Sequence, residues 1–243
     1  MEYQKLKSLV DVLLQGIYYI LRQNPMKLFL DTADAQTIIK HFDTGLIDGI
    51  TTNPTLILKS GRNPEDVYRE LSGHGIPDIS MEIVTEEVDV FVSEGKRLKE
   101  EFGDVTTIKV PCTPAGLKAC KLLTDEGIKV NVTLIFSQVQ AILAAKAGAT
   151  YVSPFVGRVD DNSFGGLCLV KDIAKVFREH MVRTEVLAAS IRNVRDVGRA
   201  FEYGADIVTI PPTVFEKMYN HILTDKGLEL FQKDYESVVG RSA

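Results

Sequence analysis

The 243-residue sequence contains no CxxC pair, no HExxH, no run of basic residues and no GxGxxG after its first apolar run. Its three cysteines, Cys112, Cys120 and Cys168, are odd in number and scattered, which suits a reducing compartment such as the cytoplasm and gives no zinc signature. The four histidines are scattered too, so no metal is expected. With a net charge of −5 and no basic tail, a nucleic-acid or anionic-membrane partner is not expected, and an anionic substrate would need a local cationic site. Long apolar runs are also missing. The nearest approach lies in residues 1–25, where Leu6, Leu9, Val10, Leu13, Leu14, Ile17, Tyr18 and Leu21 follow helical spacing, but Asp11 and Gln15 interrupt them. That pattern predicts a peripheral amphipathic helix, or an extension upstream of a start at Met26, rather than a signal peptide or membrane span.

What is present is a regular alternation. Short runs rich in apolar or β-branched residues at 27–31, 48–53, 78–84, 105–110, 129–133, 150–155, 184–190 and 206–210 read as strands. Stretches of helical period lie between them, as at 85–102, 114–127 and 138–148. Gly127, Gly148 and Gly204 each close a helical run just before a strand, where a C-terminal cap is expected. Eight strand-helix units without a linker predict one (β/α)8 barrel domain over 26–243, with an extra amphipathic helix at 227–239. A doubly wound sheet would use the same elements but has no glycine fingerprint to support it.

The stretch TIKVPCTPAG, residues 107–116, places a lysine where a buried strand should be apolar. If Ile108 and Val110 face the helices, Thr107 and Lys109 face the barrel interior, and Lys109 is the last interior position before Pro111, at the C-terminal mouth. Partial desolvation lowers a lysine's pKa and leaves more neutral amine to attack a carbonyl. A lysine snorkelling to solvent from a strand end would give the same pattern. Polar residues also close the other strands: Asp31, Asn53, Glu82, Asn131, Thr133 and Ser190. One such residue is commonly a helix N-cap, and Glu82 could simply pair with Lys109. Several converging on a lysine look like a site, with Asp31 or Glu82 able to shuttle protons. Arg158 after the sixth strand, and Ser190 with Arg192 after the seventh, could hold a phosphate, or the arginines could pair with nearby aspartates.

The segments LFLDTAD (28–34), GITTNPTLI (49–57), SMEIV (80–84), IKVPCTPAGLKA (108–119), NVTLIFS (131–137), YVSPFVGRVDD (151–161) and AASIRN (188–193) resemble, in order, the transaldolases, in particular the small subgroup that also contains fructose-6-phosphate aldolase. The resemblance begins near Met26 and implies a cofactor-free barrel enzyme. It implies that Lys109 forms a Schiff base, that Asp31 is the acid/base of carbon–carbon cleavage, and that Glu82 and Thr133 hold a catalytic water. Asn53 and Asn131 would bind substrate hydroxyls, Ser153 would lie beside the dihydroxyacetone unit, and Ser190, Arg192 and Arg158 would hold the phosphate. It further implies sugar-phosphate substrates, the non-oxidative pentose phosphate pathway and a homo-oligomer, a pentamer or decamer. Glutamate at 82, phenylalanine at 155 and arginine at 192 match transaldolases, where aldolase members carry glutamine, tyrosine and lysine. The alternatives are a fructose-6-phosphate aldolase, a catalytically silent barrel that binds sugar phosphates, and a phosphate-binding isomerase, which would not need the interior lysine.

Overall fold

In the computed structural model, which describes residues 26–239, eight parallel strands close into a barrel in sequential order. They are β1 Lys27–Asp31, β2 Gly49–Thr51, β3 Ile79–Glu82, β4 Thr106–Pro111, β5 Lys129–Ile135, β6 Tyr151–Pro154, β7 Glu185–Ala188 and β8 Ile207–Ile210. Around them run α1 Ala35–Phe42, α2 Pro54–Ser60, α3 Pro64–Gly73, α4 Val88–Phe102, α5 Pro114–Asp125, α6 Gln138–Lys146, α7 Val156–Asp160, α8 Gly166–Glu179, α9 Val194–Glu202 and α10 Pro212–Lys217. A last helix, α11 Ile222–Val239, follows and starts five residues before the segment that the sequence pattern marks. The fold is the (β/α)8 barrel. The helix anticipated in residues 1–25 lies outside the described residues.

Local chemistry sets most element boundaries. β2 stops at Thr51, short of Asn53, because Pro54 opens α2 and Asn53 Oδ1 accepts the Leu56 amide at 3.0 Å as its N-cap. Thr113, Ser137 and Asn193 cap α5, α6 and α9 in the same way. Gly127, Gly148 and Gly204 have φ of 76°, 87° and 96°, the left-handed geometry that ends the preceding helices. β5 runs two residues past the pattern, through a register shift against β6 between Val132 and Ile135, where Leu134 takes φ of 60°. A bulge of this kind re-aims the side chains beside it, here Thr133.

Alternation along β4 is as the sequence predicts. Ile108 and Val110 pack with Phe91 and Leu123 in the layer between strands and helices. A separate cluster of Phe29, Tyr151, Leu187, Ala189 and Ile207 fills the barrel interior. Gly49 makes that filling possible, since a Cβ there would lie 2.6 Å from the Phe29 ring. Below this layer the interior is polar. Asp78 accepts hydrogen bonds from Thr107 Oγ1 at 2.9 Å, Lys129 Nζ at 2.7 Å and Tyr151 Oη at 2.9 Å. Lys27 pairs with Glu185 at 2.9 Å alongside. Charges so enclosed are tolerated because each has a partner.

Among the described residues no helix is long and apolar enough to cross a membrane, and no group of three or more His, Cys, Asp or Glu side chains is disposed to hold a metal ion.

Candidate active site

Lys109 is 5 % exposed, on the fourth position of β4. Strand pairing sets Glu82 of β3 on one side of it and Asn131 of β5 on the other. Its Nζ donates to the Thr52 carbonyl oxygen at 2.9 Å and lies 2.9 Å from Glu82 Oε2. The second contact is an ion pair whose angles fall outside hydrogen bonding, so Oε2 remains without a hydrogen-bond partner. Thr133 Oγ1 is also buried and unpartnered. Buried polar atoms without partners are uncommon, and among the described residues two of the three flank the same lysine.

The pocket at the C-terminal mouth of the barrel is lined by Asp31, Asn53, Lys109, Thr133, Ser153, Phe155, Arg158 and Ser190, drawn from six different strand ends or the loops after them. Asp31 Oδ1 accepts from Thr51 Oγ1 at 2.8 Å. Thr51 has spent its proton there, so it accepts from Thr209 Oγ1 at 2.7 Å. Burial pushes the Asp31 carboxyl above its ordinary range, against the opposing pull of the Lys109 charge and the Thr51 hydrogen bond. A carboxyl so tuned exchanges protons more readily near neutrality than a surface aspartate does.

One side of the mouth carries cations. The Arg158 guanidinium stacks over the Phe155 ring at 4.9 Å, and Phe155 meets Phe136 edge to face at 5.8 Å. Among the described residues Arg158 has no carboxylate partner within ion-pair distance. Ser190 sits in left-handed geometry, φ 59°, and its carbonyl accepts the Gly157 amide at 3.0 Å, which stitches the loop after β7 to the start of α7. Gly157 has to be small: a Cβ would lie 2.6 Å from Arg192 Nε.

A model of the family described as transaldolase/fructose-6-phosphate aldolase matches residues 28–241. The chain belongs to the transaldolase/fructose-6-phosphate aldolase family. A probable transaldolase of Nitrosopumilus maritimus is 51% identical over 214 residues, 88% of this chain and 96% of that protein. A probable transaldolase of Geobacter sulfurreducens is 51% identical over 213 residues, covering 88% of this chain and 99% of that protein. One of Cereibacter sphaeroides is 51% identical over 210 residues, 86% and 95% of the two chains.

Within this transaldolase/aldolase barrel the sequence-predicted residues fall into two groups. Eight line the pocket. Glu82 touches Lys109 but does not itself line the pocket, and it borders a second cavity between α3 and α4 instead. Asn131 is fully buried behind Ser153, whose hydroxyl donates to Asn131 Oδ1 at 2.7 Å, while Asn131 Nδ2 donates to Ser80 Oγ at 3.3 Å. Arg192 turns to solvent, where its guanidinium grips both oxygens of Asp161 at 2.5 and 2.6 Å. Sequence reasoning missed Thr51, Thr209 and Thr52. Thr51 and Thr209 are threonines on interior strand positions, a signal that β propensity alone also explains. Cys112, beside the lysine strand, is half-buried and its thiol is pushed up by burial, so it is not an activated nucleophile.

Proposed function

We propose that the chain is a transaldolase that moves a dihydroxyacetone unit from sedoheptulose 7-phosphate or fructose 6-phosphate to glyceraldehyde 3-phosphate or erythrose 4-phosphate. The observation that carries the reading is a buried lysine at the barrel mouth, with a half-buried aspartate in the same pocket whose carboxyl desolvation pushes above its ordinary range.

The neutral Lys109 amine attacks the ketose carbonyl carbon and the oxygen takes a proton, giving a carbinolamine. Loss of that hydroxyl as water, with a proton supplied through Glu82 and Thr133, leaves the iminium. Asp31 then removes the proton of the C4 hydroxyl, the C3–C4 bond breaks, and its electron pair moves to the iminium nitrogen as an enamine. The aldose phosphate departs, an acceptor aldehyde enters, and the steps run in reverse. No external cofactor is needed, because the imine is the electron sink. Arg158, with Arg192 once freed from Asp161, and Ser190 hold the phosphate, while Asn53 and Ser153 hold the hydroxyls, with Asn131 fixing the Ser153 hydroxyl from behind.

Glu82 and Phe155 favour transfer over hydrolytic release, since a phenylalanine has no hydroxyl with which to protonate the enamine or orient water. The catalytic domain of this reading is the span 26–243, and residues 1–25 lie outside the described residues. A homo-oligomer is supported by α11, which buries none of its residues and exposes Leu223, Leu228, Leu230, Phe231 and Tyr235. Free thiols at all three cysteines agree with a reducing cytoplasm, and the reaction proposed belongs to the non-oxidative branch of the pentose phosphate pathway.

The test is a coupled assay with fructose 6-phosphate, with and without erythrose 4-phosphate. Sustained glyceraldehyde 3-phosphate formation only with the acceptor supports a transaldolase. Equal release without it makes the protein an aldolase.

A further inference from the structure

Two groups hold the Lys109 ammonium, the Thr52 carbonyl and the Glu82 carboxylate, and both adjoin one buried phenol. Tyr68, on α3, is 4 % exposed and packs edge to face on Phe102 at 6.1 Å. Its hydroxyl lies 3.2 Å from Thr52 Oγ1. The Thr52 hydroxyl gives its single proton to the Ser80 carbonyl at 2.9 Å, so Tyr68 is the donor in their contact. The Glu82 backbone amide lies against the same phenol oxygen.

This arrangement interrupts a ladder. β2 and β3 pair as far as Thr51 and Ser80, and the Thr52 amide still donates to the Ser80 carbonyl. Beyond that point the Thr52 carbonyl takes the lysine and the Glu82 amide turns to the phenol. Tyr68 thereby stands where a continuing sheet would have supplied the next rung. A phenylalanine would fill the apolar space around α3 and α4 equally well, and burying a hydroxyl there costs free energy unless it is hydrogen-bonded. Burial also keeps the phenol protonated, and hence a donor.

We propose that Tyr68 is a positioning residue for the reacting lysine: its hydroxyl fixes the Thr52 carbonyl and the Glu82 strand end, and through them the direction in which Nζ meets the substrate carbonyl. The proposal rests on the assignment of Lys109 as the Schiff-base residue. Tyr68 does not line the substrate pocket, so it acts on the lysine's aim rather than on substrate affinity.

The experiment compares wild type, Tyr68→Phe, Thr52→Val and the double variant. Two quantities are read: the single-turnover rate of borohydride-trappable imine from fructose 6-phosphate, and steady-state kcat and KM with erythrose 4-phosphate. Each single variant is expected to lower the imine rate about tenfold with KM within about twofold, and the double variant to fall no further than a single one. That non-additivity separates aim through Thr52 from a general loss of packing, which would also lower the thermal midpoint. Wild-type rates in a folded Tyr68→Phe protein overturn the proposal, as do losses that multiply in the double variant. If Tyr68→Phe does not fold, Thr52→Val removes the same hydrogen bond from its other end and decides on the same readout. A wild type that traps no imine overturns the lysine assignment itself, an outcome distinct from a wild type that traps imine as fast as its variants do.

Discussion

Lys109 and Glu82 occupy paired positions on β4 and β3, with Nζ 2.9 Å from Oε2 in an orientation that makes an ion pair but no hydrogen bond. The carboxylate therefore keeps a free acceptor beside the amine. Glu82→Gln retains the shape and removes the charge and the capacity to exchange a proton. The expected result is a fall in the rate of dihydroxyacetone transfer of about ten- to a hundredfold with donor KM little changed. Steady-state kinetics with both substrates varied would check it, and an unaltered kcat would reduce Glu82 to a structural partner.

Asp31 sets function against stability. Its folded pKa lies above the reference 3.8, chiefly through burial, so the folded state favours the protonated acid. That favourable contribution is fully present below pH 3.8 and is lost as pH rises through the folded value, because ionising the group then costs more in the folded state than in the unfolded one. Asp31→Asn should therefore be more stable than wild type at pH 7, with the advantage shrinking towards pH 4, while transfer activity collapses. Urea unfolding at the two pH values gives the comparison, and a variant less stable at pH 7 than at pH 4, relative to wild type, would reverse the sign.

Phe155→Tyr adds a hydroxyl to the ring on which Arg158 stacks. The expectation is more dihydroxyacetone released from fructose 6-phosphate without an acceptor, measured by following free dihydroxyacetone. An unchanged ratio of release to transfer would mean that residue 155 does not partition the enamine.

The two arginines at the mouth differ in a way that kinetics can resolve. Arg158 lines the pocket, whereas Arg192 is engaged by Asp161. Arg158→Ala should raise KM for phosphorylated donors about tenfold or more, with little effect on an unphosphorylated ketose. Arg192→Ala should also raise that KM, since Arg192 leaves Asp161 for the phosphate in the proposed reaction; an unchanged KM would mean that it stays on Asp161.

At the opposite end of the barrel, Asp78 holds Thr107, Lys129 and Tyr151 together. Asp78→Ala leaves the buried Thr107 and Tyr151 hydroxyls and the part-exposed Lys129 ammonium without their shared acceptor and should cost about 1–3 kcal/mol of stability. Chemical denaturation measures it, and a loss under 1 kcal/mol would show that water takes over the network.

That network marks where sequence reading ends. Lys109 stands out in TIKVP because a charge between apolar neighbours contradicts a doubly covered strand, and the alternation of Ile108 and Val110 already fixes which way it points. Asp78, Lys129 and Glu185 carry no such contrast. They lie at strand starts, where charged residues normally meet solvent, and only closure of the barrel turns them inward upon one another. Asn53 was legible as a polar strand end, but its dual place as helix cap and pocket wall depends on Pro54 ending β2 two residues early. Tyr68 could not be read at all, since a tyrosine on an amphipathic helix is ordinary core until the broken ladder between β2 and β3 is seen.

The most direct test of the account is reduction with sodium borohydride in the presence of fructose 6-phosphate, followed by peptide mass spectrometry. The account predicts one stable adduct, on the peptide carrying Lys109, and none in Lys109→Ala. An active enzyme that remains unmodified, or that carries the adduct on another lysine, would contradict it.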